Sequence, residues 1–343
     1  MAYTTINKSS DYFNTKLYTG NGGTQSITGV GFQPDWLWIK SRNVNTNHNV
    51  VDAVRGSTKI IHPNTSSAEG TDASSITSFN SDGFSLGSRG DTNANSGTFV
   101  SWNWKANGQG SANTDGTINT TYTSANTTAG FSIPSYTGTG SAASVGHGLG
   151  VAPSMIMIKN RDGGTGWITY HKSLTTNGNY LLLNSSNAVA TNTAYYSSAP
   201  STTVINIGTS GYVNESSEKF IAYCFAEKTG YSKFGSYKGN GNADGPFIYT
   251  GFKPAFIILK NSVAGNNWIM KDSKRPGYNL TDDQLYPDAD YTEDTNGGVD
   301  IVSNGFKART TAATTNGNGS TYIYMAFAEA PLVGSNGVTA KAR

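Results

Sequence analysis

The chain has 343 residues and a formal net charge of +2, from 24 Lys and Arg against 22 Asp and Glu. Its longest basic run is the pair Lys274 and Arg275, so we do not expect a positively charged surface that could bind a nucleic-acid backbone. The start of the sequence has no basic or apolar leader, and no apolar run reaches the roughly 18 residues of a membrane helix. These features predict a protein made in a cytoplasm, without a signal peptide and without membrane insertion.

Low charge and abundant aromatic residues favour an ordered β protein. Charged residues make up 13% of the chain, while 19 Tyr, 14 Phe and 6 Trp supply apolar burial that a disordered chain would lack. Gly, Ser, Thr and Asn fill the remainder and are typical of turns between strands. The single cysteine, Cys224, excludes an internal disulfide, so stability is expected from packing or assembly.

One segment occurs three times. The three copies are GFQPDWLWIK at 31–40, GVAPSMIMIK at 150–159 and GFKPAFIILK at 251–260. Each contains a glycine turn, a proline and an apolar run, which predicts a strand covered on both faces.

Other positions keep the same spacing from this anchor. They are the residues eight after the shared lysine (His48, Trp167 and Trp268), those twelve after it (Asp52, His171 and Asp272), the Gly-aromatic pairs 83–84, 211–212 and 305–306, and the closing strands 99–106, 220–227 and 322–329. Alternation in the closing strands places Trp104, Phe225 and Phe327 on one core-facing side.

The repeat predicts an all-β fold of three tandem antiparallel β-sandwich units, jelly-roll or immunoglobulin-like. We define repeat 1 as residues 1–106 with an N-terminal arm, repeat 2 as 131–227 and repeat 3 as 232–329. Residues 107–130 are predicted to be a flexible linker, and 330–343 a C-terminal tail. Because only 228–231 separate repeats 2 and 3, we expect these two to form a rigid pair, with repeat 1 freer in orientation.

Motifs for catalysis or cofactor binding do not emerge from the pattern. The histidines and Cys224 lack the spacing of a zinc site, and no nucleophile elbow or phosphate-binding loop occurs. We therefore predict no catalytic residue and no cofactor, with calcium as the one open alternative.

That alternative rests on an acidic loop at 282–294, which is predicted to be an insertion confined to repeat 3. Carboxylates are the ligands that calcium prefers, although the loop does not fit the EF-hand pattern. The candidate ligands are Asp288, Asp290, Glu293 and Asp294. A solvated acidic loop and a pair of carboxylates acting on a glycosidic bond are the other interpretations.

Aromatic side chains are candidates for contact with a glycan or a protein partner, because their faces offer apolar area to a sugar ring. The candidates are Trp167, Trp268, Tyr286 and Tyr291. Core packing is the competing interpretation. The shared lysines, Lys40, Lys159 and Lys260, are also candidates for contact with a ligand or a subunit. The competing interpretation for them is that each side chain extends along the strand end toward water.

Several stretches of repeat 1 resemble structural proteins of marine tailed phages, such as those of cyanophages. They are INKSSDYFNTKLYTG at 6–20, GFQPDWLWIKSR at 31–42, VDAVRG at 51–56, SFNSDGFSLG at 78–87 and FVSWNWKA at 99–106. The resemblance implies a virion component without established catalytic residues.

The expected function is therefore a non-enzymatic virion structural protein, a surface appendage or capsid decoration that forms homo-oligomers and contacts other virion proteins. Contact with host-surface polysaccharide is a further expectation. The alternative is a tail-associated polysaccharide depolymerase, which would need paired carboxylates near 282–294.

Overall fold

The structure is a computed structural model that describes residues 4–276 and 278–333. It is 42% strand and 3% helix, and its sheets are antiparallel. This confirms the all-β prediction. The predicted tail lies mostly outside the described residues, and its first part, up to Pro331, belongs to the last strand.

The strands of each repeat follow one another in the same order. Repeat 1 begins with a 3-10 helix, Ser9–Asp11, and contains β1 (Phe13–Thr19), β2 (Gln25–Thr28), β3 (Trp36–Ser41), β4 (Asn49–Asp52), β5 (Lys59–Ile60), β6 (Gly70–Thr71), β7 (Ile76–Asn80), β8 (Gly83–Leu86), α1 (Gly90–Asn93) and β9 (Thr98–Trp104). Repeat 2 is preceded by β10 (Tyr122–Asn126) and contains β11 (Phe131–Thr137), β12 (Ala143–Gly146), β13 (Met155–Asn160), β14 (Ile168–His171), β15 (Asn179–Leu182), β16 (Ala190–Thr191), β17 (Val204–Ile207), α2 (Gly211–Asn214) and β18 (Lys219–Phe225). Repeat 3 contains β19 (Ser232–Lys238), β20 (Phe247–Tyr249), β21 (Phe252–Asn261), β22 (Ile269–Asp272), β23 (Val299–Val302), β24 (Gly305–Ala308) and β25 (Thr321–Pro331).

Each repeat contributes an inner and an outer sheet. The inner sheets have the orders β1-β9-β3-β4, β10-β11-β18-β13-β14-β15-β16 and β19-β25-β21-β22, so the second has the same four-stranded centre with further strands at both edges. The outer sheets have the orders β2-β8-β7, β12-β17 and β20-β24-β23. The predicted anchor strands are β3, β13 and β21, and each pairs with the closing strand of its own repeat. A separate apolar cluster in each repeat joins residues of its inner and outer sheets.

Glycine is required where the outer sheet of repeat 1 turns back on itself. Gly83 has a φ of +148°, and a Cβ there would lie 1.9 Å from the carbonyl oxygen of Ile27. Gly305 meets Ile248 in the same way at 2.0 Å. In repeat 2 the place of Gly83 in the outer sheet is taken by Val204, which pairs with Gly146, and the predicted third member, Gly211, instead begins α2.

The opposite faces of the three inner sheets meet in one central cluster that contains residues of all three repeats. Trp104, Phe225 and Phe327 occupy the same place in their closing strands. Their ring centroids are 6.5 Å (Trp104 to Phe225), 5.6 Å (Trp104 to Phe327) and 6.0 Å (Phe225 to Phe327) apart. The three repeats therefore surround a common axis.

This arrangement corrects the expectation that repeat 1 is the looser unit. The ring centroid of Phe13 in repeat 1 lies 5.5 Å from that of Phe256 and 5.4 Å from that of Phe327, both in repeat 3. The ring centroids of Trp36 in repeat 1 and Tyr223 in repeat 2 are 4.8 Å apart. Repeat 1 thus contacts both of the others through buried aromatic rings. Short linkers are not needed for tight packing when the apolar faces themselves are complementary.

The predicted linker is also partly structured. Within 107–130, β10 pairs antiparallel with β11 and adds an edge strand to the inner sheet of repeat 2. Ile118 forms a bridge with Val145 of the outer sheet. The segment is therefore bound to repeat 2 over much of its length, although its polar composition is typical of a flexible connection.

Candidate functional site: the junctions between repeats

The two predicted tryptophan contacts are buried at boundaries between repeats. Trp167 and Trp268 are each 1% exposed. The indole Nε1 of Trp167 donates to the carbonyl of His62 at 3.0 Å, and that of Trp268 donates to the carbonyl of Leu182 at 2.9 Å. Both bonds reach the preceding repeat, so these tryptophans hold repeats together and are not available to a glycan.

The two predicted tyrosines differ in exposure. Tyr286 is 9% exposed, and its hydroxyl donates to Asp294 while accepting from Gln284 at 2.7 Å. Tyr291 is 52% exposed and lies edge-on to Tyr286, with 5.7 Å between ring centroids. Of the four aromatic candidates, Tyr291 alone presents much of its ring to solvent.

The four candidate calcium ligands serve different partners. Asp288 accepts a hydrogen bond from the backbone N–H of Trp268 at 3.1 Å, and burial raises its pKa to about 6. Glu293 pairs with arginines, Asp294 accepts from Tyr286, and the backbone carbonyl of Asp290 accepts from Thr46 at 3.1 Å. Within 4–276 and 278–333, no group of three or more acidic, histidine or cysteine side chains is placed to hold a metal ion.

The acidic loop is not an insertion, because each repeat has a counterpart. Asn64 and Asn184 accept from the backbone N–H of His48 and Trp167 at 3.0 and 2.9 Å, as Asp288 does from Trp268. We call the segments 62–69, 182–189 and 286–293 the arms. The amide and carboxylate side chains play the same structural role in the arms.

Each arm ends against the next repeat. The backbone N–H of Glu69 donates to the carbonyl of Arg161 at 2.7 Å, and that of Val189 donates to Ser262 at 2.9 Å. The third arm returns to the first repeat, since the N–H of Glu293 donates to the carbonyl of Arg42 at 2.9 Å. The contacts run from repeat 1 to 2, from 2 to 3 and from 3 to 1, and they close a ring within one chain.

A buried ion network lies at the junction of repeats 1 and 2. Arg55 Nε lies 2.5 Å from Asp52 and its Nη1 lies 3.1 Å from Glu69, which also pairs with Arg161 Nε at 2.9 Å. The Tyr223 hydroxyl of repeat 2 donates to Asp52 at 2.7 Å. Although burial opposes ionisation, the two arginines hold the pKa of Glu69 below its usual value.

The junction of repeats 3 and 1 has the same network at equivalent positions. Arg275 lies 2.6 Å from Asp272 and 3.0 Å from Glu293, and Arg42 Nη2 lies 2.6 Å from Glu293. The indole of Trp102 donates to Asp272 at 3.1 Å, in the place of the Tyr223 hydroxyl. In both networks one Asp–Arg pair, Asp52 with Arg55 or Asp272 with Arg275, has no solvent exposure, so each of these charges depends on its partners.

The junction of repeats 2 and 3 replaces every member of this network. Its equivalents are His171, Leu174, Val189 and Ser262. His171 Nε2 lies 3.1 Å from the carbonyl oxygen of Tyr324, and burial lowers the pKa of His171 to about 4. His171 is therefore neutral at physiological pH, and the residues that replace the network carry no charge.

The shared lysines are buried as well, which corrects the expectation that their side chains extend toward water. Lys40, Lys159 and Lys260 have 0% exposure, and burial lowers the pKa of each to about 8. Their ammonium groups donate to loop carbonyls, including Ser66 from Lys159 at 3.2 Å and Ser186 from Lys260 at 3.0 Å. Both carbonyls belong to the arm of the preceding repeat.

Constant spacing in the sequence was a signal for these junctions. The positions eight and twelve residues after the shared lysine all lie at repeat boundaries, including Trp167, Trp268, Asp52 and Asp272. Their partners on the arms were missed, because Val189 interrupts the pattern set by Glu69 and Glu293, and the contact that all three positions share is made by the backbone N–H.

Comparison with known proteins gives one family. A family model described as "Domain of unknown function (DUF7483)" matches residues 8–331, which include all three repeats. No curated protein matches the chain. Among the described residues, no helix is long and apolar enough to cross a membrane.

Proposed function

The chain belongs to the DUF7483 family, and we propose that it is a non-enzymatic structural protein of a phage particle, a surface appendage or capsid decoration that contacts host-surface glycans. Each repeat would act as one β-sandwich unit, built from its inner and outer sheets. Other virion proteins and further copies of the chain would be its partners, and assembly would take place in the host cytoplasm.

The closed ring is the observation that carries this proposal. A block with internal threefold pseudo-symmetry presents three related faces, which suits attachment to a threefold site of a symmetric assembly. The likeness of repeat 1 to structural proteins of marine tailed phages is the reason why we assign the protein to a phage particle.

The means of stabilisation also suits a particle that leaves the cell. Cys224 is buried and free, and its pKa is raised by burial, so the fold does not depend on the redox state of its surroundings. Cohesion comes instead from the central aromatic cluster and the buried networks at two junctions.

The proposal is tested by locating the chain in purified particles. We expect mass spectrometry to find it at a fixed stoichiometry to the major capsid protein, and gold-labelled antibody to mark one class of position by cryo-electron microscopy. A chain found only in the soluble lysate of infected cells would contradict the virion assignment. A fall in polymer size after incubation of the folded protein with host polysaccharide would favour the depolymerase instead.

A further inference from the structure

Repeat 2 contains a cavity of about 410 Å³ that opens beside β14 and β15. Its lining includes Tyr170, Lys172, Asn177, Asn179, Tyr196 and Ser198. None of these six residues takes part in the ion networks at the junctions, although Leu174, which belongs to the junction of repeats 2 and 3, also lines the cavity.

The cavity lies where the outer sheet of repeat 2 is incomplete. The outer sheets of repeats 1 and 3 have a third strand, β7 or β23, whereas that of repeat 2 has only β12 and β17. The equivalent chain in repeat 2 contributes one isolated bridge, between Tyr196 and Ile207, and then continues through Pro200 without a strand. Loss of the third strand leaves a gap against the inner sheet.

The side chains around the gap differ from those of repeat 1. Strand pairing places Tyr170 level with Val51, and Tyr196 level with Ile76. The tyrosine rings are 5.6 Å apart and edge-on, and the Tyr196 hydroxyl donates to the carbonyl of Ile168 at 3.2 Å. Tyr196 is thereby fixed, and the partly exposed Tyr170 ring forms a rigid apolar wall.

Amide and hydroxyl groups surround this wall. Asn177 is exposed and bonds to the carbonyl of Ser197 at 3.3 Å, and Asn179 accepts from the hydroxyl of Thr191 at 2.7 Å. The lining thus combines an aromatic face with polar groups held by their neighbours. A purely apolar ligand would exclude water from these polar side chains without replacing the hydrogen bonds that water makes to them.

Lys172, the charged side chain of the cavity lining, already has a carboxylate partner. The ammonium group of Lys172 lies 2.5 Å from Glu227, which also pairs with Lys233 at 2.7 Å. An anionic ligand would have to compete with Glu227 for Lys172, so the rim favours a neutral ligand.

We propose that this cavity binds a neutral saccharide of one or two pyranose rings. The C–H face of a sugar would lie on Tyr170, and its hydroxyls would exchange hydrogen bonds with Asn177, Asn179 and the nearby hydroxyls. The cavity volume falls in the range of small-molecule sites, about 300–1,000 Å³. The inference names the glycan contact of the proposed function, and it rests on that function only for the biological source of the sugar.

The test uses the full chain and a panel of neutral methyl pyranosides with glucose, galactose, mannose and N-acetylglucosamine rings, followed by saturation-transfer difference NMR. We expect a signal from at least one of them and at least about a tenfold loss of affinity in Tyr170→Val, about 1.4 kcal/mol. The substitution introduces valine because repeat 1 has valine at the equivalent position, Val51. Tyr249→Thr is the matched control, because Tyr249 is 56% exposed outside the cavity and stands level with Thr28 of repeat 1.

Absence of signal from every pyranoside, or equal binding by Tyr170→Val and wild type with native circular dichroism, would overturn the inference. Glucuronate is measured beside the neutral panel, and binding of glucuronate alone would also overturn the inference, since that would identify an anion site. This test is separate from the test of the virion assignment. If the chain binds sugar but is missing from particles, only the virion assignment is wrong. If the chain is present in particles but binds no sugar, only the proposed sugar site in the cavity is wrong.

Discussion

At two junctions the buried charges can stabilise the protein only when every member of the ion network is present. Removing Arg55 from water has a large cost that its bonds to Asp52 and Glu69 must offset. The junction of repeats 2 and 3 closes with His171 and Leu174 in the same places and without an ion network. Ionic networks are therefore not required for ring closure, and we expect them to favour the correct pairing of arms with repeats.

This comparison predicts strong non-additivity. Arg55→Leu alone should lower the free energy of unfolding by about 3–5 kcal/mol, because it leaves the buried Asp52 carboxylate without the cation that neutralises it. Replacing the whole network by the equivalent residues of the junction of repeats 2 and 3 should lower the free energy of unfolding by less than Arg55→Leu does. The fourfold variant carries Asp52→His, Arg55→Leu, Glu69→Val and Arg161→Ser.

Urea denaturation measures both variants against wild type. Asp11→Asn is the control, since the Lys8–Asp11 pair is 71% and 48% exposed and should contribute less than about 1 kcal/mol. A fourfold variant less stable than Arg55→Leu would show that charge itself closes the junction.

At the scale of strands, the two faces of the inner sheets are differently predictable. The spacing of the anchors located β3, β13 and β21, and alternation placed Trp104, Phe225 and Phe327 on one side of the sheet. Alternation shows which side is buried but not which element covers it. The partners across the axis come from other repeats and could not be inferred from a single strand.

Segments with polar composition were the other source of error. The sequence of β10 has no apolar alternation because it is an edge strand paired on one side, and it was assigned to a linker. The arms were missed as a repeated feature because the side chains that accept from a backbone N–H, those of Asn64, Asn184 and Asp288, are of two different types. Backbone contacts of this kind leave little trace in a sequence.

An isolated repeat should fail to fold, because its inner sheet would expose the face that belongs to the central cluster. In a fragment of residues 131–227, Phe131, Tyr223 and Phe225 would lose their neighbours from repeats 1 and 3. We expect strong binding of an apolar dye and no cooperative thermal transition, with the full chain as control. Cooperative unfolding of the fragment, with near-ultraviolet circular dichroism of native type, would show that a repeat is stable alone.

At the scale of the whole molecule, three heterologous contacts close into a ring, as they would in a cyclic trimer. Each repeat uses its arm on one neighbour and receives the arm of the other. Because the central cluster draws on all three inner sheets, the repeats cannot change orientation without exposing it. The chain should therefore behave as one rigid body.

Small-angle X-ray scattering of the full chain tests this closure most directly. A ring around one core predicts a radius of gyration of about 20 Å, the value for a compact chain of this length. Three repeats joined in a row, with repeat 1 free on a linker, would give about 30 Å. A value near 20 Å that does not change with salt is the expected result, and a value near 30 Å would contradict the ring.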